Sequence, residues 1–314
     1  MKILAVICVV LLLPVLAGCD VVLTANHQKP EIYAFVRPAK TAHDEQMIQG
    51  LASGGEELQA NMEIHEIDLT EEPDDAIRQV KAAVRRSTRA IIITPFENDE
   101  LQKQLKKARE KGISLIYLDA VQSYEIPGTY IVTDDEAAGE KAGHLLAESM
   151  GGEGKAVILS TWPDDQRALD REKGFQEALG EYDDIKLVNL FYCNGEEENT
   201  KKTLQDILTA HPDIKGIFAA CPKTASAAVK EAAGRSQDIQ IVGFHHTDET
   251  LEFIRNGQMY GSVSLKSFEM GVEAVKAAVS MVSDPAAHAT ISLDCEIRTR
   301  DSLYGAGEPN SPTS

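Results

Sequence analysis

From residue 31 onward the chain alternates short, almost wholly apolar runs with longer stretches whose apolar residues return every three or four positions. The first series of runs is IYAFV (32–36), MEIHEIDL (62–69), RAIIIT (89–94), ISLIYLD (113–119) and TYIVTD (129–134). The second is KAVILS (155–160), IKLVNLFYC (185–193), IKGIFAA (214–220), IQIVGF (239–244) and MYGSVS (259–264). Between them, Ile77, Val80 and Val84, or Leu101, Leu105 and Ala108, recur at helical spacing. Near-continuous apolar strands separated by helices predict parallel sheets covered on both faces. Two series of the same rhythm predict an α/β protein of two similar doubly wound parallel-sheet lobes joined by a multi-strand hinge.

Thr133 and Glu136 stand at capping-box spacing, so a new helix and the second lobe are expected to begin there. The apolar stripe Val272, Val275 and Val279 marks a last helix, placed back on the first lobe. The expected division is then residues 31–133 plus 266–290 for lobe I and 134–265 plus 291–304 for lobe II. Crossings are expected near Thr133, Leu265 and Ala289. Residues 19–30 read as a tether and 305–314 as a frayed tail.

The opening MKILAVICVVLLLPVLAGCD has one Lys, an apolar stretch too short for a comfortable membrane span, and small residues before Cys19. It resembles the signal and lipobox of bacterial lipoproteins. That implies removal of residues 1–18 and a lipid on Cys19 as the membrane anchor. Loss of Lys2 takes the formal charge from −19 to −20. So acidic a surface repels phosphate backbones, which argues against a nucleic-acid partner. Cys193, Cys221 and Cys295 are too widely spaced for a disulfide framework, and no CxxC is present.

In parallel α/β sheets, ligands gather beyond the carboxyl ends of the strands. Those ends are Arg37, Phe96 and Asp119 in the first lobe, and Trp162, Cys193, Cys221, His245 and His246 in the second. GGEG (151–154) precedes a strand and lacks the third glycine of a dinucleotide fingerprint; no phosphate loop or nucleophile elbow occurs. His65-Glu66 has Leu69 where a zinc protease needs histidine. Adjacent His245 and His246 point in opposite directions along an extended chain, so no metal site is expected from them with Cys221. No cofactor and no enzymatic activity are expected from these residues.

AIIITPFENDELQKQLKKAREKGISLIYLDA (90–120), REKGFQEAL (171–179), ILTAHPDIKGIFAA (207–220) and IQIVGFHHTDETLEFIRNGQMYGSVS (239–264) resemble the periplasmic sugar-binding proteins of the ribose and galactose type. The likeness runs from about Ile32 to Arg298. A lipoprotein-like signal stands where the related lac-repressor-like regulators carry a DNA-binding head.

The resemblance implies that Asp119 accepts ligand hydroxyls and that Arg171, in Arg-x-x-Gly-Phe, donates to ligand oxygens. Several positions depart from the family: Ala120 replaces an arginine, Cys221-Pro222 an Asn-Asp pair, and His245 an aspartate. His43 and Asp44 stand where an aromatic pair sandwiches the sugar ring. Two ligand readings follow. Arg37, Arg171, Lys223, His245 and Lys266 suit an anionic or strongly accepting ligand, whereas Phe96, Trp162 or Tyr192 could be platforms for a neutral sugar. The implied partner is a membrane permease, or alternatively a sensor kinase or chemoreceptor that reads the closed form.

Overall fold

The computed structural model describes residues 30–304 apart from 69–70, 87, 120–124, 236 and 282–287. The signal, Cys19, Ala120 and the tail therefore lie outside the described residues.

The first sheet contains β1 (Glu31–Val36), β2 (Asn61–Glu66), β3 (Ala90–Ile93), β4 (Ser114–Leu118), β5 (Thr129–Thr133) and β11 (Thr290–Leu293), in the order β11-β5-β4-β3-β1-β2. All its pairings are parallel. The second contains β6 (Gly154–Ser160), β7 (Ile185–Tyr192), β8 (Ile214–Ala219), β9 (Gln240–Phe244), β10 (Gly261–Leu265) and β12 (Cys295–Thr299), in the order β12-β10-β9-β8-β6-β7. Only β12 runs antiparallel, against β10. Each of the ten apolar runs forms a strand, and the architecture is the two-lobed one expected.

The period of two explains why both faces are apolar. In β3, Ile91 and Ile93 enter the cluster beneath α2 (Pro73–Arg85) and α3 (Asp99–Glu110). Ala90 and Ile92 enter the opposite cluster, beneath α1 (Ala42–Glu57) and α9 (Ser267–Met281). The second sheet repeats this with α4 (Asp135–Met150) and α5 (Gln166–Leu179) on one face. On its other face lie α6 (Glu197–Ala210), α7 (Pro222–Ala233) and α8 (Asp248–Arg255).

Glycines set how closely two helix pairs approach. A Cβ on Gly139 of α4 would lie 2.0 Å from the Arg171 carbonyl of α5, and one on Gly174 would lie 2.0 Å from that of Glu136. In the first lobe, a Cβ on Gly271 of α9 would lie 2.2 Å from the Met47 carbonyl of α1. Backbone-to-backbone contact therefore fixes α5 on α4 and α9 on α1, and with them the side chains at their N-termini.

The chain crosses between the sheets after β5, after β10 and between β11 and β12. Two positions differ from the sequence reading. The N-cap of α4 is Asp134, whose carboxylate accepts from Ala137 N at 2.9 Å, rather than Thr133. Residues 291–293, assigned in advance to lobe II, belong to the first sheet, where Ile291 pairs with Ile131 and Leu293 with Thr133. The last crossing thus falls at Asp294, which Lys141 of α4 holds at 2.6 Å. The run ISLDCEIRT gives no pattern break at that point, and only the pairing partners on either side reveal it.

Candidate functional site

The strands β4 and β9 hold equivalent places in their sheets, and both end in the same unusual way. Asp119 has φ 57° and His245 has φ 65°, left-handed values that are uncommon for side-chain-bearing residues and cluster at functional sites. Each still donates its backbone N–H to the neighbouring strand, Asp119 to Ile131 O and His245 to Val263 O. The chain therefore completes the ladder and then turns the side chain at the strand's carboxyl end.

Asp119 is buried and stands at the centre of an ion network. Arg37 Nη2 donates to Oδ2 at 2.5 Å, and His43 Nε2 lies 3.1 Å from the same oxygen. Arg167 Nη1, from the first turn of α5 on the second lobe, donates to Oδ1 at 2.5 Å and to Oδ2 at 2.6 Å. Burial alone would raise the Asp119 carboxyl, but Arg167, His43 and Arg37 together hold it well below the usual carboxylate range. Arg37 also reaches Asp44 at 3.3 Å, and His43 Nδ1 lies 2.7 Å from Ser267 Oγ at the start of α9.

Arg171 lies one turn beyond Arg167 and is almost fully buried. Its Nη1 donates to Asp135 Oδ1 at 2.5 Å, and its guanidinium stacks 4.6 Å from the centroid of Phe244. Burial pushes the Asp135 carboxyl up, and Arg171 and Arg167 offset only part of that. The His245 ring lies 5.7 Å from that of His43 and 4.7 Å from that of Phe244. Burial, with His43, Arg171, Arg167 and His246 adding to it, keeps its basicity well below normal, so it is neutral. Among the described residues, Arg171 Nε and His245 Nδ1 are buried without a hydrogen-bond partner.

Asp119, Arg167, Thr133, Asp135, Thr290 and Ser292 line a recess of ≈390 Å³ at the junction of the lobes. That volume falls within the range of small-molecule sites, about 300–1,000 Å³.

Of the residues singled out in the sequence, Asp119 lines this recess and Arg37 pairs with it, Arg171 and His245 pack against Phe244 beside the network, and Phe96, Trp162 and Cys221 sit elsewhere. Phe96 packs on the cluster beneath α2 and α3. Trp162, after β6, is 48% exposed and faces Gly195. Cys221 precedes α7, its Sγ 3.0 Å from Thr224 Oγ1. Three central residues were missed: Arg167, Asp135 and Ser267. Arg167 had a legible signal, since it lies four residues before Arg171 and so shares its helix face. His43 and Asp44, noted only for lacking an aromatic platform, are buried polar partners of the network.

The fold and site define a two-lobed α/β protein with a polar recess where the lobes meet. Residues 33–285 match the model of the periplasmic binding protein domain, and the chain belongs to that family. The ribose import binding protein RbsB of Salmonella typhimurium is 24% identical over 235 residues, covering 74% of this chain and 78% of the relative. The D-apiose import binding protein of Actinobacillus succinogenes is 26% identical over 251 residues, covering 78% and 79%. In structure, the chain is similar to an ABC transporter periplasmic solute binding protein from Actinobacillus succinogenes with bound D-allose. The TM-score is 0.77 at 23% identity, covering 88% of this chain and 99% of the other. These relatives are binding proteins, and so is this chain; it is not an enzyme.

Proposed function

We propose that the protein is an extracytoplasmic sugar-binding lipoprotein that captures a neutral sugar between its lobes, closes about the hinge and delivers it to an ABC-type permease. The observation that carries this reading is the buried contact between Asp119 of lobe I and Arg167 of lobe II beside the recess. It makes the strand ends of the two lobes a single polar surface.

The charge of the ligand follows from pairing. Three guanidiniums, Arg37, Arg167 and Arg171, meet three carboxylates, Asp44, Asp119 and Asp135, and His245 is neutral. Arg37 and Arg171, two of the cations that suggested an anionic ligand in the sequence, are therefore already matched. A charged ligand would leave one buried group without its counter-ion, which is costly, whereas sugar hydroxyls both donate and accept. The unpartnered Arg171 Nε and His245 Nδ1 support contact with such a ligand. Transport is preferred to sensing because the relatives are import binding proteins. The lipid on Cys19 would hold the protein beside its permease.

The test is thermal unfolding of the full chain in mild detergent against neutral aldoses and pentitols, sugar acids and sugar phosphates. A ligand at about a hundred times its dissociation constant adds roughly 2.7 kcal/mol and raises Tm by a few degrees. A shift with neutral compounds supports the reading. A shift confined to acids or phosphates overturns it.

A further inference from the structure

The geometry points to Arg167 as the residue that sets which ligands the cleft accepts, through a cross-cleft bond that keeps Asp119 neutralised; this rests on the sugar-binding reading above. Asp119 Oδ2 has two partners from its own lobe, Arg37 and His43, but Oδ1 bonds only Arg167 among the described residues. Among the described residues, Arg167 is thus the one group of the second lobe that engages the acceptor expected to take ligand hydroxyls.

Its place on α5 is fixed rather than incidental. Asp165 caps the helix by accepting from Arg167 N at 3.1 Å, and Gly139 and Gly174 let α5 lie backbone to backbone on α4. Asp119, Asp135 and Asp165 together outweigh burial and strengthen the charge on Arg167.

The consequence is a filter on ligand chemistry. A hydroxyl can insert between Arg167 and Asp119, accepting from one and donating to the other. An ammonium can replace Arg167 at Oδ1 only by leaving the guanidinium buried and unpaired, so amino sugars are rejected by the same residue that admits their neutral counterparts. Without the guanidinium, Oδ1 is an open carboxylate acceptor that prefers a charged donor to a neutral one.

The test compares wild type with Arg167→Met, which keeps the length and removes the charge, and with Arg167→Lys, which keeps the charge. Binding of D-ribose, D-glucose and D-galactose is measured by calorimetry beside that of D-glucosamine and D-galactosamine. Hydrogen–deuterium exchange is followed over residues 114–119 without sugar. Arg167→Met should shift the ratio of amino-sugar to neutral-sugar affinity by about tenfold toward the amine and lose protection at 114–119. Arg167→Lys should stay near wild type in both. An unchanged ratio in a protein that binds neutral sugar overturns the assignment while leaving the sugar-binding reading intact. If wild type binds none of the sugars, the sugar reading falls. The exchange data then decide the cross-cleft role alone: unchanged protection in Arg167→Met overturns it, and loss supports it.

Discussion

Replacing Gly139 by alanine sets two effects of opposite sign against each other. Gly139 lies inside α4, where helix propensity favours alanine by about 1 kcal/mol. The new Cβ would stand 2.0 Å from the Arg171 carbonyl oxygen, whereas ordinary contact begins at 3.4 Å. The obstacle is backbone in the middle of a helix, which cannot rotate aside, so α5 must retreat by about 1.4 Å. Overpacking of this kind costs about 1–3 kcal/mol, and a rigid backbone places it in the upper part of that range. Net destabilisation of about 1–2 kcal/mol is expected. The retreat also carries Arg167 and Arg171 away from Asp119 and Asp135, whose bonds are 2.5 Å long, so sugar binding should weaken about tenfold or more. Urea unfolding midpoints and calorimetric titration read the two effects. Gly234→Ala is the control, since its Cβ would find 3.7 Å to the nearest atom and should change stability little. A Gly139→Ala protein about 1 kcal/mol more stable than wild type, with unchanged binding, would refute the view that close helix approach positions the site.

Two further outcomes are expected. His246 is buried 3.4 Å from Glu296 Oε1 without hydrogen-bond alignment, and burial, with Arg298, lowers its pKa to about 4. Because the unfolded histidine binds its proton near pH 6.5, stability should fall as pH drops from 6.5 toward 4, by up to about 3 kcal/mol from this residue. His246→Asn should flatten a plot of Tm against pH in that window, and an unaltered slope would contradict the assignment. Arg171→Ala should destabilise the fold by about 3 kcal/mol, because it strips buried Asp135 of its counter-ion. A double variant with Asp135→Asn should recover much of that loss in denaturant unfolding; no recovery would mean that the Phe244 stacking, not the pair, holds Arg171.

The ten strands β1 to β10 and their grouping into two lobes were legible in the sequence, because burial on both faces of a parallel sheet leaves near-continuous apolar runs that alternate with stretches of helical period. The last two strands were not. β11 and β12 are partly exposed, mix polar with apolar residues, and join different sheets, β11 in parallel and β12 antiparallel.

For the site, strand ends and the family resemblance pointed to Asp119, Arg171, Arg37 and His245, which are properties of position along the chain. Their partners are properties of the third dimension. Arg167 meets Asp119 across 48 positions of sequence, and His43 meets Ser267 across 224. The sequence also showed Arg37 and Arg171 near the strand ends, and only the tertiary structure paired them, by placing Asp44, Asp119 and Asp135 against them. By itself the sequence determined the fold class, since the alternation of apolar runs with helical stretches is local. Which of the basic groups are paired was decided by tertiary structure, because ion pairing depends on which lobes and helices come within hydrogen-bond distance.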